Sequence, residues 1–194
     1  MTLVLTNTKR EKVRVYLYDA AGEEYERMDR DADEEFFFFQ DLTGVILVID
    51  PLGLPSFPRY SSISRSCPSP TPVGKVVTGL SRNVRKFLKY GRSGKSGVPV
   101  SVVVNKADVP NVVSQLGGDT IAGYDPDSVK RALQTWGMTA KEIGMLETEF
   151  ESLRYFACSA LGRAPGDTDK PLKGIYVFPP LAYCLKNVGI LTST

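Results

Sequence analysis

Asn105, Lys106 and Asp108 are the residues of this chain most suited to chemistry. They close the run Val100–Asp108, Val-Ser-Val-Val-Val-Asn-Lys-Ala-Asp. An amide, an ammonium and a carboxylate so close together can donate, accept and balance charge, and so can recognise a polar ligand. Where they sit decides whether they do. A β-branched run with almost no polar alternation suits a strand buried on both faces, as in a parallel sheet. Ligands of such sheets bind beyond the carboxyl ends of the strands. The plainer reading is a helix-capping Asp after a buried strand.

Three other stretches end in the same way. Val13–Asp19 reads as a strand that runs into Asp19-Ala20-Ala21-Gly22-Glu23-Glu24-Tyr25. The glycine there permits a close backbone approach. Thr43–Asp50 is a second buried-type strand, and its Asp50 points toward the same sheet edge as Asn105. Arg154–Ser159 is a further strand, continued by Ser159-Ala160-Leu161. Each of these junctions also reads as an ordinary strand-to-turn transition.

Composition narrows the chemistry. Histidine is absent, which excludes Ser-His-Asp and Cys-His catalysis and any His-ligated metal. What remains is carboxylates, hydroxyls, lysine, backbone amides or a hard cation such as Mg²⁺. A net charge of +2 gives no reason to expect nucleic acid or an anionic membrane as partner. Three cysteines without metal-ligand spacing argue for a reducing compartment. No apolar run approaches membrane-spanning length, and the first residues lack the apolar core of a signal peptide. A cytoplasmic location is therefore expected. A length of 194 residues fits one domain, or one domain with an insertion.

The elements that must position these residues can be placed in order. Thr2–Thr6 and Val13–Asp19, separated by a polar stretch, predict an antiparallel hairpin. An acidic segment then leads to Phe36–Phe39, read either as a second packed layer or as a protein-binding patch. Six prolines in residues 51–74 exclude helix and central strand, and predict an inserted loop within the 1–194 domain. Lys75–Tyr90 carries the apolar stripe Val77, Leu80, Val84, Phe87 and Leu88, opposite a basic face. Gly94-Lys95-Ser96 is no phosphate-binding loop, because it follows a helix and precedes a strand. Asp125-Pro126 starts a helix, and Thr139-Ala140-Lys141-Glu142 is a capping box for the next. Leu172–Thr194 predicts a short helix or strand packed on the sheet.

Asp19/Gly22, Asn105-Lys106-Ala107-Asp108 and Ser159-Ala160-Leu161, in this order and each at a strand end, resemble the motifs of P-loop GTPases of the Ras-like class. The strand Tyr16-Leu17-Tyr18-Asp19-Ala20-Ala21-Gly22-Glu23 and the C-terminal Pro-Leu segment look most like the bacterial double-GTPase group. The resemblance implies a three-layer α/β fold with a mostly parallel sheet of the P-loop NTPase type and an N-terminal antiparallel hairpin. It also implies roles. Asp108 would accept from the guanine N1 and N2 donors, beside Asn105 and Lys106. The backbone amide at Ala160, between Ser159 and Leu161, would donate to the guanine O6. Gly22 would meet the γ-phosphate and Asp19 would hold Mg²⁺ through water. Glu23 falls where the class often carries a water-orienting Gln. A carboxylate there can take a proton from water but repels the γ-phosphate, and a solvated helix-start acid is the competing reading.

The sequence departs from that pattern in one respect. The family's first strand, Walker A loop and first helix are not found before Thr2. The expectation is therefore a GTP- or GDP-binding domain with low affinity and little or no hydrolysis on its own, since the loop's amides, lysine and Mg²⁺ ligand hold the phosphates. The alternative is a non-enzymatic interaction module on a degenerate GTPase scaffold, with Phe36–Phe39 or the basic helix as its contact surface.

Overall fold

A computed structural model describes residues 2–6, 12–17, 37–58, 73–88, 90–116, 125–162 and 171–191. Its centre is a three-stranded parallel sheet of β3 (Val45–Ile49), β4 (Val100–Val104) and β5 (Leu153–Ala157), in that spatial order. The register is unbroken: Val45 faces Val100 and Leu153 at one end, and Ile49 faces Val104 and Ala157 at the other. Apart from this sheet, β1 (Thr2–Thr6) and β2 (Lys12–Tyr16) form the expected antiparallel hairpin. Its second strand stops at Tyr16, short of the Asp19 expected from sequence, and residues 18–36 lie outside the described residues.

Five helices flank the sheet in the described residues: α1 (Val73–Phe87), α2 (Pro110–Gln115), α3 (Pro126–Thr135), α4 (Ala140–Glu149) and α5 (Phe178–Asn187). Strand pleating explains how they sort. Val100, Val102 and Val104 face the main core with Val77, Leu80 and Val84 of α1, Val129 and Leu133 of α3, and Ile143 and Leu146 of α4. On the opposite face, the Ser101 hydroxyl donates to the Pro180 carbonyl in α5 at 2.8 Å. Three layers result, helices on both faces of a parallel sheet, as the α/β reading of the sequence requires.

The local signals behave as their chemistry dictates. Asp125 caps α3 through the Ser128 amide at 3.2 Å, with Pro126 in the first turn. Thr139 and Glu142 close the capping box of α4 in both directions. The C-terminal segment resolves as helix.

Two local expectations change. The proline-rich stretch 51–74 is packed where it starts: Pro51–Gly53 form a 3-10 turn, and Leu52, Leu54 and Phe57 are buried in the core. At its other end, Val73 and Gly74 already belong to α1, and residues 59–72 lie outside the described residues. Phe39, from the phenylalanine run, is 1% exposed and stacks on Phe87 with ring centroids 6.3 Å apart. That ring belongs to the packed layer and offers nothing to a partner. The placement of Phe36, and of the side chains of Phe37 and Phe38, lies outside the described residues.

Candidate functional site

The sheet register builds the site. Because Ile49, Val104 and Ala157 stand level, the next residues, Asp50, Asn105 and Cys158, line up along the carboxyl edge. Backbone bonds stitch the three tips together. The Asn105 amide donates to the Ile49 carbonyl at 3.0 Å, the Cys158 amide to Val104 at 2.8 Å, and the Ala107 amide to Cys158 at 3.0 Å. The Asn-Lys-Ala-Asp turn is thereby anchored to both neighbouring strands.

Within the turn, the Asn105 side-chain oxygen accepts the Lys106 amide at 2.8 Å. Lys106 itself has φ +56°, a left-handed conformation that costs an L side chain energy. Its ammonium donates to Asp50 at 2.6 Å. Ala107 is fully buried and pins the turn from below. Asp108 is half-buried, and its carboxylate has no hydrogen-bond or ion-pair partner among the described residues. The carboxylate does make itself felt at β5. Burial, and after it the nearby Asp108 charge, push the Cys158 thiol above its ordinary value. The Cys158 sulfur lies 4.0 Å from the Asn105 side-chain oxygen.

At the neighbouring tip, Ser159 is fully buried. Its hydroxyl accepts the Gly162 amide at 2.7 Å and so shapes the turn. The chain is then strapped by a two-way bridge, with Ser159 and Ile175 exchanging amide-to-carbonyl bonds at 3.0 and 2.8 Å. Gly162 has φ +69°, and a Cβ there would collide with the Lys173 carbonyl oxygen. Ala160 and Leu161 are exposed at the top of this turn, on the same edge as Asp108. An exposed turn on the same edge as a half-buried carboxylate can recognise a planar ligand that offers both donors and acceptors.

Asp19, Gly22 and Glu23 lie outside the described residues, so their relation to this edge is an expectation from sequence. Among the described residues, no cluster of acids or thiols could hold a metal ion. No helix among them is long and apolar enough to cross a membrane. Lys95 sits at the far, amino end of β4 and donates to the Glu147 carbonyl at 2.7 Å, well away from Asn105. Two features of the edge escape a reading of the sequence. The Asp50–Lys106 pair joins residues 56 positions apart. Cys158 was signalled only by its place before Ser159.

A family model described as Double-GTPase 2 matches residues 1–160 of the chain. No curated protein and no solved structure matches it.

Proposed function

The chain belongs to the Double-GTPase 2 family, and on that footing we propose that it binds a guanine nucleotide at the carboxyl edge of β4 and β5. The observation that carries this reading is the half-buried Asp108 carboxylate, without a described partner, on the edge where Ala160 is exposed. A half-buried carboxylate at this edge keeps both oxygens open to accept from a ligand or from water. Two parallel donors on one ring edge, as in guanine N1 and N2, match its two oxygens. The Ala160 amide donates to the guanine O6, and Asn105 and Ser159 hold the two turns in shape. Lys106 lies between them, its ammonium directed to Asp50. Adenine offers the opposite pattern at this edge and is excluded by the same carboxylate.

By resemblance to the Ras-like class, Gly22 meets the γ-phosphate, Asp19 holds Mg²⁺ through water, and Glu23 sits near the attacking water. This edge alone supplies a few hydrogen bonds, each worth roughly 0.5–1.5 kcal/mol net. The base contribution is then about 3–4 kcal/mol, equivalent to a Kd of roughly 1–6 mM. Higher affinity has to come from phosphate contacts.

Calorimetry with GDP, GTP and ADP tests the reading. Guanine nucleotides bind and ADP does not. Asp108→Asn replaces one acceptor oxygen with a donor, so it weakens GDP at least tenfold and admits xanthosine diphosphate, whose ring carries a carbonyl where guanine has an amine. Equal heats for GDP and ADP, or an unchanged preference in the variant, would remove Asp108 from the base site.

A further inference from the structure

We propose that Asp50 is a positioning residue that sets the conformation of Lys106, and through it the shape of the whole Asn-Lys-Ala-Asp turn. The proposal deepens the guanine reading and rests on it for the binding consequence alone.

Asp50 is itself held rigidly. One carboxylate oxygen accepts the Leu52 amide at 3.0 Å and so caps the 3-10 turn Pro51–Gly53. The residues of that turn are buried, and Pro51 fixes the following backbone. The other carboxylate oxygen accepts the Lys106 ammonium at 2.6 Å. The carboxylate thus joins a buried turn after β3 to an exposed turn after β4.

Lys106 needs such a tie. Its left-handed backbone, φ +56°, persists only where surrounding contacts over-determine it. Three contacts act on the main chain: the Lys106 amide on the Asn105 side chain, the Ala107 amide on the Cys158 carbonyl, and the Val109 amide on the Lys106 carbonyl. The fourth acts through the side chain, and it runs to Asp50. A lysine stem samples many rotamers when its ammonium is loose. Tethered at its end, it becomes a fixed wall of the edge. The pair is half in water, with side-chain exposures of 42% for Lys106 and 28% for Asp50, so its strength is that of a screened pair.

Asp50→Asn is the informative variant, because the amide oxygen still caps Leu52 while the charge is removed. In nucleotide-free protein, the backbone NMR signals of Asn105–Asp108 shift, and those of Tyr155 in β5 do not. GDP affinity falls about two- to fivefold, the range of a partly exposed charge pair. That loss shrinks in 1 M salt, where the native pair is screened. On a Lys106→Met background the Asp50 substitution has no further effect, since the two act as one unit. Unmoved Asn105–Asp108 signals, or an undiminished loss on the Lys106→Met background, overturn the proposal. If the native protein does not prefer GDP to ADP, the guanine reading fails, and the nucleotide-free spectra still decide the role of Asp50.

Discussion

β3 and β4 are neighbours with nearly the same composition, Val-Ile-Leu-Val-Ile beside Val-Ser-Val-Val-Val, yet they live in different solvents. Every residue of β4 is buried. In β3, Ile46 is 39% and Val48 56% exposed. Both stand opposite Ser101 and Val103, on the face covered by α5. That helix covers β4 fully, and β3 lies at the edge of the three-stranded sheet. A cleft of about 180 Å³, lined among others by Val15, Leu17, Val45, Ile46, Leu181 and Leu185, lies between β3 and the hairpin. The difference shows that β-branched character marks a strand, while its neighbours alone decide how much burial each residue contributes. It also locates the firm end of the molecule. The candidate edge grows out of β4, the strand with packing on both faces, and its neighbour β5.

This contrast predicts a graded series. Val102→Ala removes methyl groups from the middle of the core and leaves a cavity, which costs about 2–3 kcal/mol in urea unfolding. A cost below ~1 kcal/mol would mean that β4 is no better packed than β3.

A smaller effect comes from alkaline pH. Burial raises the Cys158 and Cys184 thiols and the Tyr155 phenol above their ordinary values. The folded chain therefore keeps protons that the unfolded chain releases, and stability falls as pH rises. That stability is fully present below about pH 8.5, the ordinary thiol value, and is lost through the raised folded values. Urea midpoints at pH 7, 8.5 and 10 measure the decline. Cys184→Ala, beneath β3 and β4, flattens it in part. A midpoint that climbs over this range would contradict the burial of these groups.

The smallest effect is at the edge strand. Val48→Thr changes stability by no more than ~0.5 kcal/mol, the range of surface substitutions. Val48→Lys leaves the urea midpoint in place and lowers light scattering on concentration, because a charge blunts an exposed strand edge. A loss comparable to that of Val102→Ala would show that β3 is covered in solution.

Much of the fold is legible in the chain because its signals are local. The Val100–Val104 run, the Asp125 cap and the Thr139 capping box each depend on residues within a few positions of one another. Asn105, Lys106 and Asp108 could likewise be picked out, since a polar cluster at the end of a buried strand stands out on composition alone. The packed start of the proline-rich stretch was hidden. Prolines exclude helix and central strand, but say nothing against burying Leu52, Leu54 and Phe57 in a 3-10 turn. The run Phe36–Phe39 was ambiguous for a related reason, as a phenylalanine looks the same in a core as on a binding face until its neighbours are known.

The residue order alone settled that a parallel-type strand would present an amide, an ammonium and a carboxylate at its end, because strand periodicity and motif spacing act over a few residues. Only the folded chain decided that Asp50 reaches Lys106, that Cys158 stands beside Asn105, and that the Ser159 hydroxyl closes its own turn on Gly162. Those contacts follow from sheet register, which sets Ile49, Val104 and Ala157 level across more than a hundred residues of chain. Register is fixed by the packing of whole strands and helices, and no short stretch of sequence contains it.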